Sequence, residues 1–161
     1  MNEFIERLMM YLPALGNGLL VTLGLCLVAM LLGFALGVAL YLCGSSRSPA
    51  LIWFSRGYVS FFRGTPLLAQ LLLCFYLPTS LDIDLPGVVA AIVVLSLNTA
   101  AYQSQILRSG FEAIPKGQLE AAAVFGLSRW QTLTRVQIPQ VLQLASPALV
   151  SELIDVIKAS A

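Results

Sequence analysis

Few side chains in this chain of 161 residues could do chemistry, and their placement narrows what kind. Histidine is absent, which removes the commonest general base and the commonest metal ligand. Cys26, Cys43 and Cys74 lie in or at the edges of apolar segments and read as small buried hydrophobes, not as a disulfide framework or metal site. No phosphate-binding G-x-x-x-x-G-K-[ST] loop occurs. Catalytic and metal-ligating residues are therefore not expected. Two features remain. One is a carboxylate pair, Glu152 and Asp155, beside an apolar segment, with the amides of Asn98 and Gln105 in an earlier one. The other is Glu120–Pro139, EAAAVFGLSRWQTLTRVQIP, polar and partly charged between apolar stretches, with the character of a handle for another protein.

The elements that must position these residues are membrane spans. Apolar residues make up 58% of the chain and charged ones 11%, where soluble domains average roughly half and a quarter. Charge is absent from Leu8 to Ser46, Gly64 to Leu81, Leu85 to Leu107 and Val136 to Ser151. At about 1.5 Å per helical residue, the second window covers roughly 27 Å, close to the ~30 Å hydrocarbon core of a bilayer. The last window is shorter and carries Gln137, Gln140 and Gln143 with Pro139 and Pro147. The expectation is an all-α integral membrane protein, a single domain over 1–161, with spans at about 15–42, 65–79, 87–107 and 137–157. A net charge of +1 gives no reason to expect a nucleic acid partner.

Arginine and lysine set the expected orientation, because loops retained in the cytoplasm are enriched in them. Arg47, Arg56 and Arg63 follow the first span without an acid, Asp82 and Asp84 follow the second without a base, and Arg108, Lys116, Arg129 and Arg135 follow the third. Only Arg7, against Glu3 and Glu6, precedes the first. The alternation places the N-terminus outside and the loop of residues 108–136 inside.

Within the first span, Ala29, Gly33 and Gly37 recur every four residues, which suits close approach of another helix, although glycine is also simply common in membrane helices. Pro49 marks a turn into 50–62, whose Leu51, Trp53, Phe54, Tyr58, Phe61 and Phe62 suit an interfacial helix. Pro66 suits the first turn of the second span. Ser96, Asn98, Thr99, Tyr102, Gln103, Ser104 and Gln105 make the third span polar in its second half, so these groups face other helices or a wet cavity. For Asn98 the readings are inter-helix adhesion or substrate contact. If the fourth helix starts near Gln137, Glu152 lies roughly 22 Å along it, well inside the membrane, with Asp155 about a turn further. Such a carboxylate lines a path, or pairs with another helix or with Lys158.

In the loop, Pro115 and Gly117 precede a short helix, Gly126 stands where a left-handed C-terminal residue belongs, and Ser128 with Gln131 forms a capping box for a second helix. Pro139 opens the next span. Ala121, Ala122 and Ala123 leave little bulk on the first helix, Glu120 adds a charge and Phe125 an apolar anchor.

These residues also carry a resemblance. Glu120-Ala121-Ala122, three residues, Gly126, nine residues, then Val136-Gln137-Ile138-Pro139 resembles the E-A-A-x3-G-x9-I-x-L-P loop of ABC importer permeases. Val136 replaces Ile and Ile138 replaces Leu. Arg63-Gly64-Thr65-Pro66-Leu67-Leu68 resembles the second span of permeases for polar amino acids. Ala101 through Gln118 is similar to that subfamily's A-Y-x-A-E-I-x-R-x-G-I-x-A-I-x-x-G-Q, and Val21–Leu23 adds a further match. Ser104-Gln105 departs from the subfamily's Ala-Glu. The chain ends at Lys158-Ala159-Ser160-Ala161, where the family has K-x-T-S-L and then another span.

The resemblance implies a type I ABC importer permease-like helix bundle in the bacterial inner membrane, four spans visible of an expected five. It implies a second permease subunit, identical or homologous, a cytoplasmic ATPase dimer that binds ATP and Mg, and a periplasmic amino-acid-binding protein. The chain itself would hold no cofactor and would not be an enzyme. Glu120, Ala121, Ala122, Phe125, Gly126 and Pro139 would form the ATPase-coupling loop, while Asn98, Gln105, Glu152 and Asp155 are the candidate translocation path. The cargo would be a polar amino acid, arginine-like by the similarity of Ser96–Gln105 to basic amino acid permeases. Two other classes share part of the pattern: a fragment of an ion-coupled secondary transporter, which needs no docking loop, and a non-transporting membrane scaffold.

Overall fold

The computed structural model describes residues 2–160, with side chains from residue 9 onward. The balance of Arg7 against Glu3 and Glu6 lies outside the described side chains. Helix α1 (Asn2–Gly44) is followed by α2 (Pro49–Gly64), α3 (Leu67–Thr79), α4 (Gly87–Glu112), α5 (Lys116–Val124), α6 (Arg129–Thr132), a π-helical turn (Leu133–Gln137) and α7 (Ile138–Ser160). Three stretches, Met9–Gly44, Gly87–Glu112 and Arg129–Ser160, are each long and apolar enough to cross a bilayer.

Helix α4 is the axis of the bundle. Ala29, Gly33 and Gly37 of α1 lie directly on it: a Cβ at Gly33 would come 2.5 Å from Thr99 Oγ1, and one at Gly37 3.1 Å from Gln103 Cβ. The small residues are therefore a packing face, not incidental. Cys26, Ala29, Leu95 and Val156 form one core cluster, and Leu107, Ile114 and Val141 another. Tyr41 stacks on Phe111 at 4.9 Å beside the second cluster. These levels make α1 parallel to α4 and α7 antiparallel to it. Cys26 is buried and its Sγ is 2.9 Å from Ser160 Oγ, which ties α1 to the end of α7.

Several expected boundaries change. The first helix does not begin near residue 15; Pro13 sits inside it. A break there would strand backbone groups in hydrocarbon, which membrane segments avoid. The span expected at 65–79 is only the 13-residue α3, about 20 Å long and too short to cross alone. Only together with α2, from which it turns by 98°, is it long and apolar enough to span a bilayer. The segment 50–62, expected as an interfacial helix, packs on the bundle through Ser55, Tyr58 and Phe62 while Trp53, Phe54 and Phe61 stay exposed. Ser55 Oγ donates to Leu40 O at 2.9 Å near the end of α1, Tyr58 Oη donates to Leu97 O at 2.8 Å, and Phe62 O accepts from Asn98 midway along α4. Phe75, near the end of α3, lies over Gly87 at the start of α4. The cause of the break is Pro66, which excludes helical geometry from Thr65 (φ −110°, ψ 142°).

The last span also starts differently. Pro139 does not open a new helix: α6, the π turn and α7 follow one another without an intervening loop. Ile138 N–H reaches back to Leu133 O, five residues earlier, which widens the helix just before a residue that lacks an N–H.

Candidate functional site

Polar side chains from α4, α7 and the α2–α3 bend converge on one space. A cavity of about 200 Å³ is lined by Thr65, Asn98, Tyr102, Glu152 and Asp155, among others. The bend supplies one wall, α4 the second and α7 the third. Glu152 is half-buried, and among the described residues it has no ion-pair partner. The Lys158 reading holds instead for Asp155, which is exposed and 3.5 Å from Lys158 Nζ. Three of the four candidate path residues thus share one cavity. Gln105 does not; it lines an adjoining groove of about 520 Å³ with Arg63, Tyr102, Ser109 and Ala148.

Asn98 is committed to structure as well as facing the cavity. Its Nδ2 donates to Phe62 O at 3.2 Å and to Gln70 Oε1 at 3.1 Å. Gln70 Nε2 in turn donates to Phe62 O at 3.0 Å and Thr65 Oγ1 at 2.6 Å. Breaking a helix in mid-bundle frees backbone acceptors that helical bonds no longer fill, and these two amides take up Phe62 O. The inter-helix reading of Asn98 therefore holds. Thr65 and Arg63, singled out in the sequence only as part of the permease-like motif, and Gln70, not singled out at all, also occupy site positions. The one signal for Gln70 is that it is the sole carboxamide in a charge-free window beside a proline.

The second site is the loop. Helix α5 ends with Gly126 at φ +72°. Leu127 N–H donates to Ala122 O and Gly126 N–H to Ala123 O, both at 3.0 Å, the paired bonds of a Schellman end. Ser128 Oγ accepts from Gln131 N at 3.3 Å and Ser128 N donates to Gln131 Oε1 at 2.9 Å, completing the capping box of α6. Glu120, Ala121 and Phe125 are exposed, as is Pro139 at the foot of α7. Ala122 departs from the expected docking face: it is 6% exposed and packs inward, since α5 must turn one side to the bundle. Val124 and Trp130, 86% and 70% exposed, extend the outward apolar surface instead. The loop is rooted in the bundle, with Leu119 against the Leu107–Ile114–Val141 cluster and Gln140 Nε2 donating to Gln118 Oε1 at 2.7 Å.

Residues 29–161 match the family described as binding-protein-dependent transport system inner membrane component. The chain is 40% identical over 162 aligned residues to the arginine transport system permease protein ArtQ of Bacillus subtilis, covering all of this chain and 74% of that protein. The chain belongs to this family of ABC importer permeases. A putative glutamine transport system permease protein, GlnP of Rickettsia typhi, is 37% identical over 90% of this chain and 67% of its own length. The permease also superposes on a chain from a crystal structure of an amino acid ABC transporter with histidines, with a TM-score of 0.88 and 32% identity, covering 96% of this chain and 72% of that one.

The permease is thus a multi-pass inner-membrane transport component with the type I importer fold, and its family works with ATPase and binding-protein partners. Its relatives are transport subunits, not catalysts.

Proposed function

We propose that the permease carries cationic, arginine-like amino acids inward through the cavity at the α2–α3 bend, driven by an ATPase dimer that grips the α5–α6 loop. The observation that carries the cargo is Glu152, a carboxylate without a described ion-pair partner, half-buried among Asn98, Thr65 and Tyr102. A carboxylate held there is costly unless a cation visits it. The similarity to an arginine permease points the same way. A periplasmic amino-acid-binding protein delivers the cargo, a second permease subunit completes the pore, and ATP and Mg²⁺ bind the ATPase. The N-terminus is periplasmic and the loop cytoplasmic, the orientation that puts Arg108, Lys116, Arg129 and Arg135 inside. Glu120, Ala121, Phe125 and Gly126 make the coupling contact.

The test is uptake into proteoliposomes holding the full-length permease, its ATPase and its binding protein. Replacing Glu152→Gln is expected to cut arginine uptake roughly tenfold or more, the scale of a lost charge-assisted hydrogen bond, while uptake of neutral amino acids persists. Unchanged rates for both classes would sink the assignment. Uptake driven by an ion gradient without ATP would instead make the chain part of a secondary transporter.

A further inference from the structure

The cavity and the groove beside it share Tyr102. On α4, Thr99 lines the cavity and not the groove, while Gln105 and Ile106 line the groove and not the cavity, so Tyr102 sits at the seam. The same seam crosses the α2–α3 bend, where Arg63 lines the groove and Thr65, two residues on, lines the cavity. Arg63 lies over the seam: its Cζ is 5.1 Å from the centroid of the Tyr102 ring. We infer that Arg63 and Tyr102 form a cation–π gate between the carboxylate-lined cavity and the groove that runs toward the α5 end of the bundle. The inference rests on the proposed path through that cavity.

The way Arg63 is held suits a moving part. Among the described residues it has no carboxylate partner, the ion pairs there being Arg108–Glu112 and Asp155–Lys158. A flat guanidinium over an aromatic face is attracted by the ring quadrupole, yet without the fixed geometry of a bidentate ion pair. Gly64, the next residue, has nothing within 4 Å of where a side chain would stand, which leaves room for the turn to shift. Arg63 is also the last side chain of α2, so movement at the 98° bend carries it off or onto the ring. A cation leaving Glu152 for the groove must pass a positive charge, and it passes when Arg63 swings aside.

The gate is tested by thiol labelling of the full-length permease assembled with its ATPase, with Cys26, Cys43 and Cys74 replaced by serine. Leu67→Cys reports the cavity and Ala148→Cys the groove. A charged methanethiosulfonate reagent is applied from the membrane face that bears α5. Arg63→Gln and Tyr102→Leu are expected to speed labelling at position 67 by roughly five- to thirty-fold, matching cation–π strengths of about 1–2 kcal/mol. Arg63→Lys and Tyr102→Phe keep charge and ring, and stay within about twofold of the parent. Labelling at position 148 is expected to be the same in all. If position 67 responds to neither Arg63→Gln nor Tyr102→Leu while arginine uptake still depends on Glu152, the gate is overturned alone. Uptake indifferent to Glu152→Gln overturns the path itself, whatever the labelling shows.

Discussion

Asn98 and Gln70 show what a polar side chain does inside a membrane before any cargo arrives. Together they satisfy Phe62 O and the Thr65 hydroxyl, groups exposed by the bend. Asn98→Leu leaves Phe62 O with one partner fewer and Gln70 Oε1 unpaired, and is expected to destabilise the permease by about 1–3 kcal/mol. Thermal unfolding of the purified full-length protein checks this; an unchanged melting temperature would mean that the bend needs no amide clamp. Inter-helix adhesion was one of the two readings of Asn98 that the sequence offered, but its partners were not legible there. That adhesion depends on Pro66 placing free carbonyls against α4, a contact between residues 36 apart in sequence. Glu152 was legible for the opposite reason, since a charge on an apolar helix announces itself by cost alone.

Among the helices, the four-residue spacing of Ala29, Gly33 and Gly37 announced a close neighbour, and α4 is that neighbour. Gly37→Leu would drive a side chain into Gln103 and the carbonyl of Ala100, and overpacking of that kind typically costs about 1–3 kcal/mol. Gly57→Leu, at an open position on α2, is expected to leave the melting temperature unaltered. Equal melting of the two variants would contradict the α1–α4 contact. The α2–α3 pair was harder to see. Its aromatic residues suggest an interfacial helix by composition, and only the hydrogen bonds of Tyr58 and Phe62 to α4 reveal that it also packs on the bundle. Local pattern finds a helix and its ends; it does not set how deep the helix sits. The Gly126 end and the Ser128–Gln131 box were read correctly because both are made within a few residues of chain.

Across the whole molecule, the loop proposed to couple and the cavity are joined by one helix. Helix α7 meets α5 through Gln140 and Val141 at its foot and presents Glu152 to the cavity about three turns higher. Under the proposed coupling, a push on α5 would tilt the wall that carries the carboxylate, which is how ATP-driven motion would reach the cargo. Gly126 holds the angle between α5 and α6 in a left-handed conformation that costs other residues roughly 1–2 kcal/mol, and a β-branched residue more. The decisive measurement sets ATP hydrolysis beside arginine uptake in proteoliposomes of the complete transporter carrying Gly126→Val. Hydrolysis is expected to continue while uptake falls to background. Uptake at the parent rate, with ATP as its only energy source, would contradict coupling through this loop.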